Sequence, residues 1–168
     1  LVFLLSACSL PDGTPSGDPC VQGNWVMPTG DLDILMATLV PLPNLRVTAG
    51  ELLMSFDSEA FSYLSYGFIL HIDMDEEQWM EATASFENTG TFFASEGEIT
   101  FSSVGSESEI SSWTGYDHGE TITVPGSGPQ LTFTLPGTTT YRCSDEYLEL
   151  DSPHPTLGTI VYLFTRRP

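Results

Sequence analysis

The sequence of 168 residues predicts an all-β, antiparallel domain with one short helix, and three observations lead there. Apolar side chains recur with a period of two through most of the chain after Pro43, the signature of strands with one buried face. Clusters of Gly, Pro, Asn and Ser break these runs at the short spacing found in sandwiches and barrels. One stretch, residues 31–40, follows a helical period instead. With 40% hydrophobic and 11% aromatic residues the composition is that of a folded chain, and its length fits a single domain.

The first eight residues, LVFLLSAC, form an apolar run too short to cross a bilayer as a helix, which takes about 20 residues. They read as the tail of a secretory signal. Leu5-Ser6-Ala7-Cys8 resembles, in all four positions, the lipobox of bacterial lipoproteins. That resemblance implies lipid on the Cys8 thiol and cleavage before it, with residues 1–7 as the signal peptide remnant. It also implies a place in the bacterial cell envelope, anchored to the membrane and facing its extracytoplasmic side. Residues 8–19 then form a tether, because SLPDGTPSGDP carries too little apolar surface to offset its ordering entropy. The folded domain is expected over residues 20–168.

With Cys8 lipidated, Cys20 and Cys143 are left over. In an oxidising compartment they are available for one disulfide, the other reading being two buried thiols. Such a bridge closes most of the domain, worth at most about 4.7 kcal/mol on a chain-entropy argument. Neither cysteine has a second ligand at the close spacing zinc sites use.

Order should begin with the strand CVQGNWVM. In residues 31–40, Leu32, Leu35, Met36 and Leu39 fall at i, i+3, i+4 and i+7, with Asp31 as N-cap and Pro41 and Pro43 as stops. This apolar stripe seats the helix on the core or across one end of it. Leu52, Met54 and Phe56 alternate with polar or outward residues. So do Phe68, Leu70, Ile72 and Met74, and so do Met80, Ala82, Ala84 and Phe86. Asn88-Thr89-Gly90 reads as a hairpin turn, and residues 98–101 as a strand. Residues 102–119, rich in Ser, Gly and Glu around Trp113 and Tyr116, read as a long connection holding at most one strand. Residues 121–124, 130–135, 138–143, 147–150 and 159–164 complete about nine strands.

Gly23-Asn24-Trp25 on the first strand is similar to the Gly-x-Trp of lipocalin-like barrels. The late pair YRCSDEYLEL and the final strand YLFTR resemble the closing strands of such domains. The resemblance implies an antiparallel up-and-down (lipocalin-like) barrel of about 8–9 strands, Trp25 plugging its closed end. It also implies a cation–π pair of Arg166 over Trp25, worth about 0.5–2 kcal/mol. A helix directly after the first strand departs from the lipocalin pattern, which has a long loop there. Eight strands closed in this way leave no free edges, and their interior holds side chains or one small ligand.

The charge is extreme: 23 acidic residues face Arg46, Arg142, Arg166 and Arg167, with no lysine, for a formal net charge of -19. A surface of this sign repels nucleic acid and anionic headgroups, so attachment to the bilayer falls to the acyl chain on Cys8. It resembles the lysine-free surfaces of halophile proteins, and it keeps the chain self-repelling, hence monomeric.

Residues that could do chemistry are sparse. His71, His118 and His154 have no metal-compatible partner at helical or alternate-strand spacing, and His71 is placed on the solvent face. Tyr116 to Glu120 gathers titratable groups that turn chemistry also explains, and His154 sits between two prolines. The sequence has no Gly-x-Ser-x-Gly elbow, glycine-rich phosphate loop or His-Glu-x-x-His, so neither catalysis nor a cofactor is expected. Asp73, Asp75, Glu76 and Glu77 are the one candidate calcium patch, without the glycine or spacing of an EF-hand loop. Ala82 and Ala84, between Met80 and Phe86, leave room for a candidate ligand cavity, or merely fit the taper of a filled barrel. The function expected is thus a lipid-anchored extracytoplasmic domain binding a small apolar ligand. The other reading is a non-catalytic envelope structural or interaction module with a filled core.

Overall fold

The computed structural model describes residues 17–40, 42–126 and 137–168. Within them the elements are β1 (Gly23–Met27), α1 (Thr29–Leu39), β2 (Leu45–Asp57), β3 (Ala60–Asp75), β4 (Gln78–Ser95), β5 (Glu98–Asp117), β6 (Glu120–Pro125), β7 (Thr138–Cys143), β8 (Tyr147–His154) and β9 (Gly158–Arg166). Every strand pair is antiparallel. The sheet runs β4-β3-β2-β1-β9-β8-β7-β5 and closes through the β4–β5 pairing, so eight strands form an up-and-down barrel. β6 pairs with β5 on the edge opposite β4, the edge that β7 takes nearer the closed end.

Strand length divides the barrel. β1 has 5 residues and β9 has 9, whereas β3, β4 and β5 have 16, 18 and 20. At about 3.3 Å per residue the long strands run far past the short ones. At one end all strands finish together around Trp25, Phe56 and Phe164. At the other, the mouth, the ends of β2 to β5 and all of β6 overhang as a sheet. Two register shifts in the β2–β3 pair lie where this overhang begins. Gly50 sits there at φ 107°, and a Cβ on it would lie 2.7 Å from the Phe68 Cα, so the approach of β2 to β3 demands glycine.

α1 packs on the overhanging part of β2 and touches β9. Leu32, Leu35 and Met36 are buried in the common core. The cap is Pro28 rather than the expected Asp31, which lies in the first turn. The sheet holds the helix start instead: the Thr29 hydroxyl donates to the Gly50 carbonyl at 2.6 Å, and Asp33 accepts from the Val47 N–H at 2.6 Å.

Two expectations about strands are overturned. Asn88-Thr89-Gly90 is not a hairpin but the interior of β4, and the turn comes later, at Glu96 and Gly97, both at positive φ. Gly90 is a packing glycine: a Cβ there would run into the Ser102 carbonyl and stand 2.8 Å from the Phe61 ring. Residues 102–119 are not a connection either, since β5 is continuous to Asp117 and pairs with β4 along its length. The expected strand over residues 130–135, Cys8, and residues 1–7 lie outside the described residues.

Candidate functional site

The closed end is a structural assembly. Trp25 is fully buried and its indole N–H donates to the Val21 carbonyl at 2.8 Å. The Arg166 guanidinium lies 4.2 Å from the indole centroid and donates to the carbonyls of Gln22 at 3.0 Å and Cys20 at 3.1 Å. Gly23 has φ 118°, and a Cβ on it would meet Arg166 Nη1 at 2.9 Å. The Gly-x-Trp spacing thus makes a seat for one arginine, and that arginine holds the incoming chain. Cys20 and Cys143 form the disulfide across 123 positions. Tyr141 donates to the Asp18 carboxylate at 2.7 Å; burial and then this contact push the phenol up to about 12. A T-shaped pair of Phe56 and Phe92, with centroids 4.8 Å apart, and another of Phe61 and Phe101 fill the space behind.

The residues expected to line a ligand cavity all point inward. Ala82, Ala84 and Phe86 are buried and Met80 is half-buried. The alanines stand opposite Leu70 and Phe68 in the β3–β4 register, both buried, and Phe68 meets Phe86 edge-on. Large neighbours therefore take up the room that the small side chains leave. Tyr63, further along the bore, is so enclosed that burial raises its hydroxyl pKa well above the ordinary value. Several clefts among the described residues lie outside the bore. One of about 630 Å³ lies along β3, β4 and β5 beside Tyr66, Glu87, Glu107 and Glu109. One of about 300 Å³ separates α1 from β9, and one lies beside Gly50 and Tyr66. The last, of about 210 Å³, is at the tip of the overhang, between Met74, Met80, Trp79 and Ile122.

The overhang has two unlike faces, because side chains alternate across each strand. The inner face continues the barrel interior as two cross-strand rows. Leu45, Ile72, Met80, Gly115 and Ile122 form one, and Val47, Leu70, Ala82, Trp113 and Val124 the next. Burial fades along both. Leu45 and Val47 are covered, Ile72, Met80 and Trp113 half-covered, and Ile122 and Val124 are 59% and 47% exposed.

The outer face carries a polar and aromatic network that sequence reading missed. His71 is hydrogen-bonded to Asp73 at 2.9 Å and to Glu81 at 3.0 Å, and Asp73 pairs with Arg46 at 2.5 Å. The imidazole stacks on Trp79, which stacks on Tyr116. Burial lowers the His71 pKa, but the hydrogen bonds and charges of Asp73 and Glu81 outweigh it and raise the value overall. Asp73 is lowered, first by the hydrogen bond from His71. Asp73, two residues on along the same strand, is a hydrogen-bond partner of His71, and among the described residues no metal-holding group forms around it. Glu81 could not be found the same way, because its approach depends on the β3–β4 register.

The acidic patch is scattered by the turn that carries it. Asp73 serves His71 and Arg46, Asp75 accepts from the Glu77 N–H at 2.9 Å, and Glu77 lies 3.5 Å from His118. Among the described residues no three His, Cys, Asp or Glu side chains are grouped to hold a metal ion. His118, at positive φ beside Gly119, forms the β5–β6 turn and pairs with Asp117, and His154 accepts the Leu157 N–H of its own turn at 3.2 Å. The chain matches no family model, no curated protein and no solved structure. Function has to be read from the geometry.

Proposed function

We propose that this chain is a non-catalytic, lipid-anchored domain of the bacterial envelope that works as an interaction module, binding through the overhanging sheet at its mouth. The observation that carries the reading is the contrast inside the barrel. Phe68, Phe86, Tyr63, Met54 and Phe164 pack the bore, while the same apolar face emerges uncovered at Ile122, Val124 and Met74. Uncovered apolar surface on a wall this polar marks contact with something else.

Anchoring fits the position of the first described residues. The chain enters at the closed end, where the Asp18 N–H donates to the Ala94 carbonyl at 3.0 Å and Cys20 is bridged. A lipid on Cys8 then holds that end toward the bilayer and leaves the mouth facing away. Among the described residues no helix is long and apolar enough to cross a membrane. The test is Cys8→Ser expressed behind a functional secretory signal. The variant should leave the membrane fraction, while the parent stays there and carries a diacylglycerol mass on its N-terminal peptide. Equal membrane retention of both would overturn the anchor.

A small apolar ligand is the second reading, favoured by the cleft at Met74, Met80 and Ile122. Native mass spectrometry of protein from its source separates the two. A retained small molecule supports the ligand, and an empty monomer with unchanged stability in fatty-acid titrations supports the module.

A further inference from the structure

We propose that the seam between α1 and β9 is a second docking site, where a partner protein lays one extended, apolar segment along the edge of β9 and sets a Lys or Arg against Asp31. The site lies on the barrel wall, so it depends neither on the overhang nor on the Cys8 anchor.

The seam exists because β1 is short. Its pairing with β9 stops at Val26 and Thr165. Continued, that register would set Pro28 opposite Leu163, but Pro28 has no N–H to give and the chain turns there into α1. The early end of β1 leaves a strand on each side of the helix, and α1 treats the two differently. Toward β2 it supplies the Thr29 hydroxyl, which donates to the Gly50 carbonyl, and the Asp33 carboxylate, which accepts from the Val47 N–H. Toward β9, among the described residues, it supplies no such bond: the Thr38 hydroxyl on that side turns back to the Ile34 carbonyl. A cleft of about 300 Å³ separates helix and strand.

Two hydrogen bonds fix which way the backbone of β9 points. The Arg166 N–H donates to the Glu146 carbonyl, on the β8 side, at 2.8 Å, and the Arg167 N–H donates to the Asn24 carbonyl of β1 at 2.9 Å. Direction alternates along an antiparallel strand, and the β8–β9 pairing runs without a register shift. Ile160, Tyr162 and Phe164 therefore turn their backbone groups to β8, as Arg166 does. Thr159, Val161 and Leu163 turn theirs the other way, into the cleft.

Backbone donors and acceptors in a row beside a helix are satisfied by another extended chain. The cleft's side chains fix what that chain must carry. Ile34 on the helix is 69% exposed, Val161 and Leu163 on the strand are exposed as well, and buried Leu35 and Ile160 lie beneath them. Apolar residues on the segment cover these rims. Asp31 is the one charged residue among those that line the cleft, and it belongs to a chain of net charge -19. The complementary charge is therefore a Lys or Arg. A second copy would bring the same net charge against itself, whereas a basic segment is drawn in.

The experiment uses the full chain and two capped peptides, Val-Thr-Val-Lys-Val and Val-Thr-Val-Glu-Val. In the free protein the amides of Val161 and Leu163 should exchange at least about tenfold faster than those of Ile160 and Tyr162, which bond to β8. The lysine peptide should slow Val161 and Leu163 about tenfold and leave Ile160 and Tyr162 as they were. The glutamate peptide should have no effect, and Asp31→Lys should reverse the preference between the two. Val161→Pro removes a donor that faces the cleft and none that faces β8, so it should abolish the peptide effect at Leu163. If that variant fails to fold, the reversal by Asp31→Lys decides alone. Equally slow exchange of all four amides in the free protein would overturn the proposal, because the edge would already be covered. Equal protection by the two peptides, or a preference that Asp31→Lys leaves unchanged, would overturn it too. Self-association that Val161→Pro abolishes, with no peptide effect, would overturn it in favour of a second copy.

Discussion

The two ends of this barrel are made from the same alternating strands and are finished in opposite ways. At the closed end every opening is covered: Trp25 plugs the bore, Arg166 covers Trp25, and the Cys20–Cys143 bridge fixes the chain to β7. At the mouth the strands simply continue, and each added residue on β4, β5 and β6 extends an apolar face that finds less and less to pack on. The difference teaches where stability is stored and where binding surface is left over. It can be broken by substitutions that should be costly at one end and nearly silent at the other.

The largest effects belong to the closed end. Phe164→Ala should lower the unfolding free energy in urea by about 3–5 kcal/mol, since a fully buried ring opposite Leu148 leaves a cavity in the core. Replacing both Cys20 and Cys143 by serine should cost about 4 kcal/mol on the chain-entropy argument for a 123-residue separation. Gly23→Ala follows at about 2 kcal/mol, from its positive φ and the Arg166 guanidinium that occupies the Cβ position. At the mouth, Ile122→Thr should move stability by less than about 0.5 kcal/mol, because its side chain is already mostly in water. A loss at Ile122 as large as that at Phe164 would erase the contrast.

The smallest effect is electrostatic. His71 is raised above its ordinary 6.5, so its contribution is complete below that value and fades as pH climbs through the raised one. Asp73 is lowered from 3.8, so its share is present above that value and is lost as pH falls through the lowered one. The outer-face network should thus be strongest between about pH 4 and 6.5. His71→Gln should flatten the stability profile above pH 6.5 and leave the closed end alone. An NMR titration placing the His71 pKa below 6.5 would remove the basis for this expectation.

Period-two alternation in Leu52, Met54 and Phe56, or in Phe68, Leu70 and Ile72, was enough to read the strands, and that signal is local. The pairing of Arg166 with Trp25 was expected only from the resemblance of Gly23-Asn24-Trp25 and the final strand to lipocalin-like barrels, because no short spacing links the two residues. The mouth was harder for physical reasons. Ser, Gly and Glu in β5 have low strand preference alone, and they form a strand because β4 supplies a partner along their length. Gly90 carries the chemistry of a turn but serves close packing against Phe61. The link from His71 to Glu81 is a matter of register across two strands, which no spacing within the sequence encodes.

Residue-resolved hydrogen exchange on the intact protein tests the central contrast most directly. Amides of Trp25, Met54, Leu148 and Phe164 should exchange only through global unfolding. Those of Met74, Gly115, Thr121 and Thr123 should exchange through local opening or directly, many orders of magnitude faster. Equal, global protection at both ends would contradict the account, because the mouth would then be part of the same closed core and no surface would be left there to bind with.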